Sequence, residues 1–116
     1  MEGTMPDEIG LLQSLTRLSL NVNTLRGTLP SNIGSLSKLT TFTMTDNSMT
    51  GSLPEELFDV TALSTLQLGR NLFNGKISSN ISKLINLTGL YLFENFLEGN
   101  LNAISTLSKL RKSSTD

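Results

Sequence analysis

The chain has 116 residues, a formal net charge of -1, and neither cysteine nor histidine. This length fits one domain, and the nearly neutral charge excludes the basic footprint of a nucleic-acid-binding protein. The two missing residue types exclude disulfides, cysteine nucleophiles, serine–histidine triads and the usual zinc sites. We therefore expect a protein that is not an enzyme, with no catalytic residue, no metal and no cofactor.

Residues 1–14 read as the second half of a repeat whose first half is missing, so we predict a half coil here. The segment has no long apolar run and contains Pro6, so no signal peptide is visible. No later run approaches the ~20 apolar residues of a membrane-spanning helix, and we expect no direct membrane insertion. The matching positions are Gly3 with Gly27, Pro6 with Pro30, Ile9 with Ile33, and Gly10 with Gly34.

The stretch 15–38 returns every 24 residues, which predicts full coils at 15–38, 39–62, 63–86 and 87–109, the last one residue short. A period of this length, built as Leu-x-x-Leu-x-Leu-x-x-Asn-x-Leu, is typical of a leucine-rich-repeat solenoid. The repeated columns are Leu15, Leu39, Leu63 and Leu87; Leu18, Phe42, Leu66 and Leu90; Asn23, Asn47, Asn71 and Asn95; and Gly27, Gly51, Gly75 and Gly99.

Within the first full coil, alternation predicts a short strand over about Arg17 to Asn21, with Leu18 and Leu20 pointing inward. Asn23 then turns the chain. Pro30 restricts the backbone at the start of a return segment, for which we predict a short helical turn over Ser31 to Leu36.

The later coils keep this plan and then stop. Glu55 and Glu56 follow a proline at the first turn of a return segment, where acidic residues suit the helix dipole better than a catalytic pair. After Leu110 the sequence RKSSTD no longer fits the strand pattern. We predict a solenoid over 1–110 and a frayed tail over 111–116.

The motif Leu-x-Gly-x-Leu-Pro-x-x-Ile-Gly at 25–34, partly repeated at 49–57 and anticipated at 3–10, resembles the plant-type leucine-rich repeat. The resemblance implies an α/β solenoid with a parallel sheet on its concave face. It also implies the setting of receptor-like kinase or receptor-like protein ectodomains, or of polygalacturonase inhibitors. In this family the asparagine column, here Asn23, Asn47, Asn71 and Asn95, forms a hydrogen-bonded ladder between coils.

Outward strand positions in adjacent coils lie about 5 Å apart, so the sequence predicts a contact surface for a protein or peptide on the concave face. Exposed aromatic residues beside an arginine favour such contacts. The repeat also places Asp46, Arg70 and Glu94 in one column of alternating charge, and the alternative is that Arg70 only neutralises its two acidic neighbours across the strands. The predicted contact residues are Tyr91, Phe93, Glu94, Arg70, Gln67, Asp46 and Thr43.

The sequence is also compatible with other functions. The chain could inhibit a cell-wall-degrading enzyme, or serve as a structural or adhesion repeat without a specific ligand. Asp46 and Glu94 have a spacing near that of an inverting glycosidase pair, but Arg70 between them would keep both ionised. The Thr41–Thr43–Thr45 strand resembles an ice-binding array but is only one coil deep.

The sequons Asn80-Ile-Ser and Asn86-Leu-Thr predict glycan sites away from the concave face. They favour an extracellular or membrane-anchored parent protein, whereas the missing signal peptide and cysteines favour the cytoplasm. Unpaired edge strands at 17–21 and 89–93 also predict self-association.

Overall fold

The computed structural model describes residues 2–99, 101–110 and 112–114. The chain winds as an α/β solenoid, and each full coil contributes one strand to each of two parallel sheets and then a short helix. The predicted fold class is therefore confirmed. The second sheet was not predicted.

The first sheet, called the front sheet here, corresponds to the predicted concave-face strands. Its strands stay in register at the repeat length, since Leu18 pairs with Phe42 and Phe42 with Leu66. The shared inward apolar position keeps this register, because a slip of one residue would turn the apolar side chains to solvent. Its strands in chain order are β2 (Arg17–Ser19), β4 (Thr41–Thr43), β6 (Thr65–Gln67), β8 (Gly89–Tyr91) and β10 (Lys112–Ser114).

The second sheet, called the back sheet, follows the asparagine of each coil. Each of its three middle strands buries one apolar side chain, Leu25, Met49 or Phe73, between exposed neighbours. Arg26 pairs with Ser48, which is 22 residues away rather than 24, so this sheet is staggered relative to the repeat. Its strands are β1 (Glu2–Thr4), β3 (Thr24–Thr28), β5 (Ser48–Gly51), β7 (Leu72–Lys76) and β9 (Phe96–Glu98).

The return segments are one-turn 3-10 helices, and the predicted turn over Ser31 to Leu36 is found as a 3-10 helix at Ser31–Ser35. Where the preceding proline is replaced by Ser78, its hydroxyl accepts a hydrogen bond from the Asn80 backbone N–H at 3.0 Å. Side-chain capping thus satisfies a free donor at that helix start. The helices are Asp7–Leu11, Ser31–Ser35, Glu55–Asp59 and Ser79–Lys83, followed by the α-helix α1 (Leu101–Ser105).

One continuous apolar core lies between the two sheets and the helices. Phe42, Phe58 and Phe73 are among its largest fully buried side chains. Since each coil packs only against its neighbours, stability is shared along the array rather than held by any single coil.

Within the segment predicted to fray, Lys112–Ser114 form β10 and pair with Gly89–Tyr91 of β8, and its other residues lie outside the described part of the chain. This pairing uses backbone groups, which even a polar segment supplies. It also corrects the predicted free edge at 89–93, since β8 lies between β6 and β10. Among the described strands of the front sheet, β2 remains at an edge.

Candidate functional site

The asparagine column fixes the turns at the ends of the front-sheet strands by hydrogen bonds to the backbone. Asn71 is buried, and its amide nitrogen donates to the backbone oxygens of Met44, Leu68 and Gly69 at 2.9 to 3.2 Å. Its side-chain oxygen accepts from the Met49 N–H at 3.1 Å. One side chain therefore joins the turn of its own coil to the preceding coil. Asn47 and Asn95 make the corresponding contacts.

The residue before each asparagine has a left-handed backbone conformation. Val22, Asp46, Arg70 and Glu94 have φ between 53° and 62°. Such angles are uncommon outside glycine and are least favourable for a β-branched residue. In the last three of these coils the position carries a charged side chain, so the turn presents one charge per coil.

These three charges form a column of ion pairs. Arg70 Nη1 donates to Asp46 Oδ2 at 3.2 Å, and Arg70 Nε donates to Glu94 Oε2 at 3.0 Å. The hydrogen bonds that Arg70 donates to Asp46 and Glu94, together with the negative charges of these carboxylates, raise the pKa of Arg70 above its ordinary value. All three side chains are substantially exposed, so solvent screens these pairs and they contribute little to stability.

Two aromatic rings lie beside this column, each above a glycine. A Cβ atom on Gly69 would come within 2.8 Å of Phe93 Cε1, and one on Gly89 within 3.2 Å of Tyr91 Cε2. The missing side chains therefore leave room for both rings to rest against the sheet. The Arg70 guanidinium carbon is 5.4 Å from the centre of the Phe93 ring, within cation–π range. We call Arg70, Tyr91, Phe93 and Glu94 the aromatic corner.

Gly69 and Gly89, the glycines beneath the two rings, were not identified from the sequence as functional positions. The available signal was the occurrence of Gly69 and Gly89 at outward strand positions, where other coils carry Asn21, Thr45 or Thr65. Glycine in a strand often marks a close approach by another group.

Two predicted contact residues differ in exposure. Gln67 is half-buried beside Tyr91, its register partner in β8. Thr43 is only 7% exposed, and its hydroxyl lies 2.9 Å from that of Ser19. Thr43 therefore has little accessible surface of its own, because it is covered within the sheet between Ser19 and Gln67. Its burial also interrupts the threonine row considered for ice binding.

Of the two sequon asparagines, Asn80 lies within the 3-10 helix Ser79–Lys83 and Asn86 lies in the turn that follows it. Asn80 donates to Glu55 Oε2 at 2.8 Å. Asn86 donates to the Thr61 backbone oxygen at 3.0 Å and accepts from Lys109. None of these three contacts involves the front sheet.

Within the described residues, no group of acidic side chains has the arrangement of a metal site. None of the described helices is both long and apolar enough to cross a bilayer. Every buried side-chain nitrogen or oxygen in the same part of the chain has a hydrogen-bond partner.

Comparison with known proteins places this geometry in a class. The family model for the Leucine Rich Repeat matches residues 14–36, and the comparison with curated proteins gave no match. The repeat, the two parallel sheets and the asparagine contacts define a leucine-rich-repeat solenoid. The chain has the fold of leucine-rich-repeat proteins, and its solved neighbours include ectodomains of plant receptor kinases. The resemblance drawn from 25–34 is thereby confirmed.

Three solved structures illustrate the similarity. The plant peptide hormone receptor RGFR1, in complex with RGF2, has a TM-score of 0.92 and 33% identity over 95% of this chain and 18% of that chain. The ectodomain of the Arabidopsis thaliana membrane receptor kinase GASSHO1/SCHENGEN3, in complex with CASPARIAN STRIP INTEGRITY FACTOR 2, has a TM-score of 0.90 and 33% identity over 94% and 13%. A plant ice-binding protein has a TM-score of 0.74 and 28% identity over 84% and 31%.

The chain thus spans less than a fifth of either receptor chain. Its neighbours also include a protein with a different ligand, so the fold alone does not decide what this chain binds.

Proposed function

We propose that this chain is a non-catalytic recognition module that binds a peptide or protein on the outward surface of the front sheet, the predicted concave face. In this proposal it forms part of the ectodomain of a receptor-like kinase or receptor-like protein, or is a short relative of one. The aromatic corner is the observation that carries the proposal.

The corner has the composition of a binding hot spot. Aromatic side chains and arginine dominate such sites, particularly where their positions are already restricted. Phe93 rests against Gly69 and Arg70 is held by two carboxylates. A ligand would therefore meet side chains that lose little conformational freedom on binding. The receptor neighbours, one a peptide hormone receptor in complex with RGF2 and the other in complex with CASPARIAN STRIP INTEGRITY FACTOR 2, support the same class of ligand.

The test uses a library of capped random hexapeptides, acetylated at one end and amidated at the other, followed by calorimetry on the strongest binder. We expect saturable one-to-one binding. Because Tyr91 and Phe93 supply the apolar contact area, the double variant Tyr91→Ala/Phe93→Ala should lose at least tenfold in affinity, about 1.4 kcal/mol or more.

The matched control is Leu72→Ala/Phe96→Ala, which removes two exposed apolar side chains from the back sheet. It should bind with unchanged affinity. The proposal fails if no hexapeptide binds saturably, or if the Tyr91→Ala/Phe93→Ala variant binds as tightly as the original chain. An inhibitor of a cell-wall-degrading enzyme would instead bind only the folded enzyme.

We further propose that the parent protein is extracellular and carries N-glycans at Asn80 and Asn86. Expressed behind a secretory leader in a plant cell line, the chain should run as a larger species that shrinks after glycosidase treatment. Asn80→Gln and Asn86→Gln should each remove one glycan and so reduce the mass difference that the glycosidase produces. Secretion of a species that the glycosidase leaves unchanged would contradict the proposal.

A further inference from the structure

The charged column at the aromatic corner has carboxylate oxygens that can still accept a hydrogen bond. Glu94 binds Arg70 through Oε2, and Asp46 binds it through Oδ2. Within the part of the chain that the structure describes, the second oxygen of each carboxylate makes no hydrogen bond. The Glu94 side chain is 63% exposed, so its free oxygen is accessible to a donor from a ligand.

The charges of the column favour a positively charged ligand group over a negatively charged one. Two carboxylates face one guanidinium, which leaves a local formal charge of -1. An acidic ligand group that approached Arg70 would also approach Asp46 and Glu94 on either side. A cationic group meets a free carboxylate oxygen without that repulsion.

The rings favour the same sign. The negative face of an aromatic ring attracts cations, and Phe93 already has the Arg70 guanidinium 5.4 Å from its centre. Tyr91 lies in the same coil, resting over Gly89. Among the described residues no cation contacts the Tyr91 ring, so a ligand guanidinium can contact it in the way that Arg70 contacts Phe93.

We propose that the aromatic corner binds a cationic side chain of the peptide ligand, and arginine in preference to lysine. The free oxygen of Glu94 accepts from the ligand guanidinium, whose plane lies against the rings of Tyr91 and Phe93. A guanidinium fits this arrangement better than an ammonium group because it is planar, less strongly hydrated and able to stack. This inference rests on the proposed function and specifies its ligand.

The experiment is a double-mutant cycle read by tyrosine fluorescence. Tyr91 is the only tyrosine and the chain has no tryptophan, so the signal arises at the corner itself. The probes are the best-binding arginine-containing hexapeptide free of tyrosine and tryptophan, and the same peptide with citrulline, a neutral isostere, in place of arginine. Each is titrated into the original chain and into Glu94→Gln.

We expect arginine, followed by lysine, to be the residues most enriched among the bound hexapeptides. Citrulline should weaken binding to the original chain about fivefold to tenfold, as expected for a partly exposed cation–π and ion-pair contact. In Glu94→Gln the preference for the arginine peptide over the citrulline peptide should be clearly smaller than in the original chain, because only the contact with the rings remains. The control Glu98→Gln removes an exposed carboxylate from the back sheet and should keep the full preference.

Enrichment of acidic or purely apolar peptides would overturn the inference and leave the proposed function intact. The same holds if Glu94→Gln weakens both probes equally. Absence of saturable hexapeptide binding would overturn both. If Glu98→Gln loses the preference for the arginine peptide as Glu94→Gln does, the inference is also overturned, because the effect then comes from overall charge.

Discussion

Replacing Asn71 by alanine is expected to lower the free energy of unfolding by about 3 to 5 kcal/mol, since each buried backbone group left without a partner costs about 1 to 3 kcal/mol. Asn71 is only 4% exposed and serves the Met49 N–H as well as three backbone oxygens. Water cannot easily replace those contacts inside the array. Urea denaturation followed by circular dichroism measures the change.

Asn74→Ala is the matched control, because Asn74 lies exposed on β7 of the same coil. It should change the unfolding free energy by less than about 0.5 kcal/mol. If the two variants unfold at the same urea concentration, the asparagine column does not support the coils as described here.

Leu66→Ala is the second large effect, with an expected loss of about 2 to 5 kcal/mol, as for other buried leucine deletions. Leu66 is fully buried in β6, between Phe42 and Leu90 in register. The cavity would lie in the centre of the array, where neighbouring coils share the core. We therefore expect one cooperative transition at a lower temperature rather than loss of a single coil.

Leu12→Ala provides the comparison, since Leu12 is 52% exposed. Its thermal transition should stay within about 2 °C of the original, in keeping with a change of at most about 0.5 kcal/mol. An unchanged melting curve for Leu66→Ala would contradict the register of the front sheet.

The front sheet could be predicted because its pattern is strong. Leu18 and Leu20, or Leu66 and Leu68, place two apolar residues at alternate positions in every full coil, and the period repeats this pattern. The return helices could be placed because Pro30 and Pro54 begin two of them.

The back sheet could not be predicted in the same way. A strand such as Ser48–Gly51 buries only Met49 and ends in a glycine with φ of 79°. Glycine is depleted in strands, and a single inward residue gives no measurable alternation. The strand exists because the neighbouring coils supply pairing partners, which is tertiary information.

The candidate site was predicted in part. The column Asp46, Arg70 and Glu94 followed from the repeat length, and the structure joins these residues by ion pairs. Their left-handed backbone, the burial of Thr43 and the position of Phe93 over Gly69 did not follow. These features depend on side-chain packing between coils, which periodicity does not report.

The most direct test of the central claim is amide chemical-shift mapping of the 15N-labelled chain during titration with the strongest hexapeptide. Recognition on the front sheet predicts the largest shifts at 65–70 and 89–95, with small shifts on the back sheet and the 3-10 helices. The largest shifts at 72–76 and 96–98, or at the helices, would place the contact on another surface and contradict the account.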